Sequence, residues 1–196
     1  MHSGETRTPV FVAERLNRQG ILDADEKRGD KFFGDARLPR AERADLTNYK
    51  GSGYARGHMA PAGDMPTPAA MAQSFSLANM VPQSLKQNSA PWAKIEKDIW
   101  HYTSRANGDV FVITGPVFDQ SSTTIGANQV RVPSHLYNLV YEEQTGRAWA
   151  HWQANAGSTN DAIATLHRIN DKRATLKQQV SQLETGVGVD PFPRTH

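Results

Sequence analysis

The stretch Tyr54–Pro61, which reads Tyr-Ala-Arg-Gly-His-Met-Ala-Pro, decides the fold predicted for this chain. It places Arg56, Gly57 and His58 side by side in a region rich in Gly, Pro and Asp, which predicts a strand end followed by turns. Asn88 follows further along the chain, just before a predicted helix. An arginine can bind phosphate, a histidine can accept a proton from water, and an asparagine carbonyl can hold a hard metal ion.

The composition indicates one soluble globular domain spanning residues 1–196. Hydrophobic residues make up 38% and charged residues 21% of the chain, which are ordinary fractions for such a domain. No apolar run approaches ~18 residues, so no transmembrane helix is expected. The absence of cysteine excludes disulfides, thiolate zinc sites, iron–sulfur clusters and cysteine nucleophiles. The net charge of +2 does not by itself predict nucleic-acid binding.

The clearest helix signal lies at about 90–104. Apolar residues recur there at three- and four-residue steps, with Ser89 as the predicted N-cap and Pro91 in the first turn. The apolar face consists of Trp92, Ile95, Ile99 and Tyr102. This face predicts a helix that packs on a core.

Other segments complete a mixed α/β pattern with mainly antiparallel strands. Residues 23–50 are charge-rich and predict a long surface segment anchored by Phe32, Phe33 and Leu38. The further predictions are a short helix at about 69–76 after Pro68, a buried strand at 110–114, a hairpin at 136–154, and a helix at about 171–184.

The chemistry of the central residues points to phosphodiester hydrolysis. That reaction needs a base for the attacking water, stabilisation of the phosphate oxygens and an acid for the leaving oxygen. His58 is the candidate base, Arg56 the phosphate contact and Asn88 the candidate metal ligand. One or two protein ligands suffice for Mg²⁺, because it keeps most of its waters. Glu96 lies inside the helix whose start Asn88 precedes, and its carboxylate could accept hydrogen bonds from such waters.

Each of these residues has a commoner structural role when it is taken alone. A histidine is more often structural, an arginine is more often a solvated charge, and Asn88 with Ser89 resembles an ordinary helix start. Only the combination, in this order, favours a catalytic site.

At these residues the chain resembles the DNA/RNA non-specific endonuclease family. The likeness covers about residues 25–190, and its most specific part runs from the histidine to the asparagine. The matching elements are Arg28 with Phe32, Phe33 and Asp35; Arg56-Gly57-His58 with Pro61; Asn79-Met80-Val81-Pro82-Gln83; and Asn88 with Trp92.

The resemblance implies a ββα-metal (His-Me finger) endonuclease fold, a mainly antiparallel sheet flanked by helices. In that fold a strand pair delivers His58 and the following helix delivers Asn88. The implied activity is Mg²⁺-dependent cleavage of DNA and RNA that leaves 5′-phosphates, with Mn²⁺ as an alternative metal.

The resemblance also implies a role for each residue. His58 would be the general base and Asn88 the metal ligand, while Arg56 and Arg28 would contact phosphate. Glu96 matches an acidic residue near the metal waters, and Asn79 matches a site-supporting asparagine. One position departs from the family, which usually has Asp where this chain has Ala55.

Two alternatives stay open on the sequence alone. One is a nucleic-acid-binding module on the same fold with weakened catalysis, which Ala55 favours. The other is a phosphodiesterase for small phosphoesters. The arginine-bearing stretch before the histidine is weak evidence against it, because it favours a polymeric substrate.

Partners and location follow from the expected activity. DNA and RNA are the expected partners, no membrane is, and a homodimer and a protein inhibitor both remain open. The start of the chain lacks the pattern of a signal peptide. Because an unguarded non-specific nuclease would harm the cytoplasm, we expect a secreted or periplasmic mature protein.

Overall fold

The structure is a computed structural model that describes residues 1–24 and 29–156 and the backbone of residues 167 and 168. The strands are β1 (His2–Ser3), β2 (Thr8–Pro9), β3 (Val12–Leu16), β4 (Tyr54–His58), β5 (Met80–Ser84), β6 (Val110–Val117), β7 (Thr124–Ile125), β8 (Val130–Arg131), β9 (His135–Glu142), β10 (Arg147–Ala154) and β11 (His167–Arg168). The α-helices are α1 (Arg18–Leu22), α2 (Leu46–Tyr49), α3 (Pro68–Ser74), α4 (Leu85–Gln87) and α5 (Ala93–Thr103). Short 3₁₀ turns cover Arg40–Glu42, Ala62–Asp64 and Leu77–Asn79, and a π-helical turn covers Asn88–Trp92.

The main sheet is antiparallel and has the strand order β11-β10-β9-β6-β3. Strand β6 pairs with β9 so that Val112 lies opposite Val140, and β9 pairs with β10 as a hairpin. The predicted hairpin at 136–154 and the predicted strand at 110–114 are therefore confirmed. So is the predicted mixed α/β fold with mainly antiparallel strands.

The core lies between this sheet and the helical run that ends in α5. Trp92, Ile95 and Ile99 are each at most 4% exposed, and they belong to one apolar cluster with residues of β6 and β9. Burying a large apolar side chain contributes about 1.5–3 kcal/mol. This packing fixes the position of the helical run that carries Asn88 and Glu96. It also confirms the predicted apolar face.

The helix does not start at Ser89 as predicted. Helix α4, the π-helical turn and α5 form one continuous run, and Asn88 has helical backbone angles (φ −62°, ψ −40°). The Ser89 hydroxyl donates to the Lys86 carbonyl at 3.4 Å instead of capping the helix. Pro91 lies inside the π turn, since a proline has no N–H to give to the usual carbonyl one turn earlier. The wide turn accommodates it and presents Asn88 from within a helix.

The strand pair β4–β5 stands apart from the main sheet and leads directly into this run. The two strands are antiparallel, with His58 opposite Met80 and Arg56 opposite Pro82. Between them, α3 runs from Pro68 to Ser74, close to the short helix predicted at about 69–76, and Thr67 is its N-cap. Because Tyr54 pairs with Ser84, the helical run begins beside the start of β4.

The segment after α1 is only partly the surface segment that the sequence predicts. Asp35 is 4% exposed, and its carboxylate accepts hydrogen bonds from Arg37 at 2.6 Å and from the Ser76 hydroxyl at 3.1 Å. The Arg37 guanidinium holds the pKa of this carboxyl well below its usual range. Asn48 and Tyr49 of α2 are buried as well. These contacts tie the segment to the loop before β5.

The predicted helix at 171–184 lies outside the described residues. Within residues 1–24 and 29–156, no helix has both the length and the apolarity needed to cross a membrane.

Asn155, just after β10, fastens β5 to the rest of the fold. Its side-chain oxygen accepts from the Ser84 N–H at 2.7 Å, and its amide donates to the carbonyls of Pro82 at 3.0 Å and Pro133 at 2.8 Å. Pro82 has no N–H to donate to a neighbouring strand. The Asn155 side chain therefore supplies part of the hydrogen bonding that a neighbouring strand would give to β5.

Asn155→Ala should lower the free energy of unfolding by roughly 2–4 kcal/mol, because three hydrogen bonds disappear and backbone groups lose their partners. Urea denaturation measures this effect. Asn107→Ala, at an exposed position, is the control and should stay within about 0.5 kcal/mol of wild type. Equal stability of the two variants would refute the fastening role.

Candidate active site

A cleft of about 420 Å³ opens between the end of β4, the loop that follows it and the helical run. Arg56, His58, Asn88 and Glu96 all line it. The structure therefore brings together the four residues that carry the predicted chemistry. Arg28 lies outside the described residues.

The His58 ring sits at the end of β4 and is 8% exposed. Two phenylalanines pack against it: the Phe75 ring lies edge-on at 5.1 Å and the Phe32 ring at 5.8 Å between centroids. These contacts limit rotation of the imidazole and keep bulk water from that side. Phe32, predicted as an anchor of the surface segment, thus packs behind a side chain that lines the cleft.

Gly57 is required by a close approach from the partner strand. A Cβ atom at this position would lie 1.9 Å from Oε1 of Gln83, which is fully buried. The Gln83 side chain therefore lies directly over Gly57. Any larger residue between Arg56 and His58 would push β4 away from β5.

The Arg56 guanidinium lies over the Phe32 ring, with its carbon 4.1 Å from the ring centroid. Arg56 is exposed, and none of the ion pairs among the described residues involves it. Stacking orients the planar group and leaves its N–H edge for an anion.

Asn79 fixes the chain just after His58 rather than lining the cleft. The Asn79 carbonyl accepts from the Met59 N–H at 2.9 Å, and its side-chain oxygen accepts from the Ala60 N–H at 2.9 Å. The side-chain amide donates to the carbonyls of Ala60 at 3.0 Å and Ser74 at 2.9 Å. This side chain therefore holds the turn that places the histidine.

The sequence analysis did not identify two acidic residues that lie near the cleft. Asp64 lines the cleft and is 9% exposed, and burial raises the pKa of its carboxyl to about 7. Glu14 on β3 lies between the core positions Val12 and Leu16. Burial raises the pKa of the Glu14 carboxyl well above its usual value, and the carboxylates of Asp64 and Glu96 raise it further. Side chains alternate between the two faces of β3, and this alternation places Glu14 on the inward face. That pattern could have identified Glu14 from the sequence.

The donors in the cleft fit a magnesium ion that keeps most of its waters. They are oxygen atoms: the Asn88 amide and the carboxylates of Asp64 and Glu96. Within the described part of the chain, no three His, Cys, Asp or Glu side chains stand together as a cage for a metal. A site with few protein ligands and room for water suits Mg²⁺, which rarely sits in an all-protein cage.

Comparison with known proteins finds a family model and relatives that match most of this chain. A model of the DNA/RNA non-specific endonuclease family matches residues 1–195. Mitochondrial nuclease EXOG of Xenopus laevis is 37% identical over 199 residues, covering 96% of this chain and 54% of its own. Human mitochondrial endonuclease G is 32% identical over 152 residues, covering 72% of this chain and 51% of its own. The chain thus spans about half the length of these relatives.

A solved structure shares the fold. The crystal structure of the EndoG/EndoGI complex contains a chain with a TM-score of 0.79 and 25% identity, covering 98% of this chain and 83% of that one. This likeness supports the ββα-metal fold that the sequence predicts.

The expected secreted or periplasmic location is wrong by these comparisons. Several EXOG relatives, and Nuclease 1 of Schizosaccharomyces pombe, are mitochondrial proteins. The relatives therefore point to mitochondria rather than export. Enclosure in mitochondria protects the cytoplasm from these relatives as export would, so toxicity alone does not favour export.

Gly57→Ala should destabilise the protein by about 1–3 kcal/mol, because the new methyl group meets the buried Gln83 side chain. Thermal denaturation measures the change. Gly63→Ala is the matched control in the same cleft, since a Cβ there meets no atom within 4 Å. If both variants have the same melting temperature as wild type, Gln83 does not constrain the residue at position 57.

Asp64→Asn should change how stability depends on pH. The folded pKa of about 7 lies above that of an unfolded aspartate, so the folded state holds an extra proton between about pH 4 and pH 7. Wild-type stability therefore falls as pH rises through this window. The variant lacks that loss, so its stability relative to wild type should rise by on the order of 2 kcal/mol between about pH 5 and pH 8.

Chemical denaturation in EDTA at several pH values gives this difference. Asp30→Asn, at an exposed position, is the control and should show the same difference from wild type at every pH. The same flat behaviour for Asp64→Asn would contradict the raised pKa.

Proposed function

Because the chain belongs to the DNA/RNA non-specific endonuclease family, we propose that it hydrolyses phosphodiester bonds in both DNA and RNA. The proposed reaction depends on Mg²⁺ and leaves 5′-phosphates. The observation that carries this proposal is the shared cleft of His58, Arg56, Asn88 and Glu96. A base, a phosphate contact and a metal-suited oxygen donor face one space.

The proposed base is His58. Its ring packs against Phe32 and Phe75 but still lines the cleft, so it can take a proton from a water that attacks the phosphorus atom. Because the ring is held in place, little orientational freedom remains to be lost at the transition state.

The phosphate oxygens would be held by Arg56 and by the metal side of the cleft. The guanidinium of Arg56, which lies over the Phe32 ring, has N–H donors that can bind a phosphate in a bidentate way. Asn88 would hold the magnesium ion through its amide oxygen, and the Glu96 carboxylate would accept hydrogen bonds from the waters of the ion. When bound, that ion stabilises negative charge on phosphate and lowers the pKa of its waters, which favours protonation of the leaving oxygen.

Ala55 removes a carboxylate but leaves this arrangement in place. It lies on β4 opposite Gln83, and its methyl group neither donates nor accepts hydrogen bonds. We propose that the strand register holds His58 without it, because Gln83 over Gly57 and the Asn79 contacts fix the same stretch from the other side.

A protein inhibitor is a further proposed partner. The solved EndoG structure is a complex with EndoGI and describes the inhibition of that enzyme. A nuclease with little sequence preference gives a cell reason to keep such a partner.

Cleavage of plasmid DNA and single-stranded RNA, with Mg²⁺ and with EDTA, tests the function. Wild type should degrade both polymers only with Mg²⁺, and His58→Ala should be slower by about 10²–10⁴. His135→Ala, on β9 and outside the lining of the cleft, should cut like wild type. Wild type that binds both polymers but cuts neither, with Mg²⁺ or Mn²⁺, would favour a binding module instead.

Asn88→Ala should weaken the use of metal more than the binding of substrate. The Mg²⁺ concentration for half-maximal rate should rise at least about tenfold, because removal of even an indirect metal contact commonly costs that much. Ser89→Ala, the neighbour in the same turn and cleft, should leave it unchanged. An unchanged Mg²⁺ dependence in Asn88→Ala, measured by initial rates, would refute the ligand role.

A further inference from the structure

The cleft contains an aromatic side chain that hydrolysis itself does not require. Trp100 on α5 lines the cleft together with Glu96 and Lys97. Trp92, earlier in the same helical run, is 1% exposed, whereas Trp100 is only partly buried. A tryptophan placed only for the core would be expected to resemble Trp92. Trp100 instead lines the cleft and stays only partly buried.

The buried side of Trp100 fixes how the ring stands. It packs against the core cluster that contains Ile95 and Ile99, and its ring lies edge-on to His101 at 5.2 Å between centroids. A ring held from behind loses little conformational freedom when a flat group stacks on its open side.

The position along the helix suits a nucleotide next to the one being cut. Trp100 follows Glu96 by one helical turn, so the two side chains lie on the same side of α5 about 6 Å apart along the axis. Glu96 belongs to the proposed metal side, so Trp100 stands about one nucleotide away from it.

Lys97 adds a positive charge beside the ring. It is exposed in the same cleft, and no ion pair among the described residues includes it. The neighbouring Lys94, in contrast, pairs with Asp98 at 2.5 Å. An aromatic face next to an uncompensated cation is the pattern of a surface that binds single-stranded nucleic acid, where bases stack and phosphates meet lysine.

We propose that Trp100 stacks on the unpaired base of a nucleotide flanking the scissile phosphate, with Lys97 on the adjoining phosphate. This inference rests on the proposed function for the identity of the substrate. It adds a preference of the cleft for unstacked bases, and so for single-stranded or locally melted strands.

Binding in EDTA tests this proposal without any cleavage. A fluorescently labelled hexanucleotide with all its bases is compared with the same strand in which every base is replaced by an abasic tetrahydrofuran unit. Trp100→Leu, which keeps an apolar side chain on the core, should weaken binding of the complete strand by roughly 5- to 100-fold. Trp100→Phe should lose less than about threefold, because the aromatic face remains.

The abasic strand separates stacking from a structural role. Wild type and Trp100→Leu should bind it equally, since it has no base to stack. Lys97→Ala should weaken binding of both strands by the same factor and reduce the salt dependence by about one phosphate contact. Trp100→Leu that weakens both strands equally, or neither, would overturn the proposal.

This assay also keeps the two proposals distinct. If wild type binds the complete strand better than the abasic one through Trp100 but cuts nothing with Mg²⁺, the stacking site stands and the nuclease proposal fails. If wild type cuts both polymers but Trp100→Leu binds and cuts like wild type, the stacking site fails and the nuclease proposal stands.

Discussion

The arrangement of the cleft depends on the close pairing of β4 with β5. The side chain of Gln83 lies over Gly57, where even one extra methyl group would lie 1.9 Å from a buried oxygen. That contact fixes how near the two strands come, and the register then places His58 opposite Met80. Since β5 runs straight into the helical run that bears Asn88, the same pairing helps to place the histidine and the asparagine in one cleft.

Polar side chains bonded to backbone hold the parts around this strand pair. Asn79 holds the turn after His58, and Asn155 bonds to the backbone of β5. Asp35 bonds to Ser76 and so holds the segment that brings Phe32 against His58. Backbone groups in irregular segments need partners, and a side chain that provides two or three at once replaces a missing strand or helix. These residues give the cleft its shape without entering it.

The sequence predicts the central residues well because their signals are local. Arg56, Gly57 and His58 stand together, Asn88 precedes an apolar helical face, and the hairpin at 136–154 shows its own turn. The Ser89 cap failed because the wide turn around Pro91 depends on packing with β5 and the sheet. Asp64 and Glu14 were missed because their burial comes from residues distant in sequence, and Asn155 because its partners lie on β5 and beside β9.

The central claim is that His58 and Asn88 act on the same phosphate in one cleft. Single-turnover cleavage rates of wild type, His58→Ala, Asn88→Ala and the double variant test it directly. They are measured at saturating DNA and at the Mg²⁺ concentration that gives the half-maximal wild-type rate, where the Asn88→Ala loss is visible. Residues that act as a unit give non-additive losses, so the double variant should cut at about the rate of the slower single variant. A double variant whose loss equals the product of the two single losses would show that the two residues act independently.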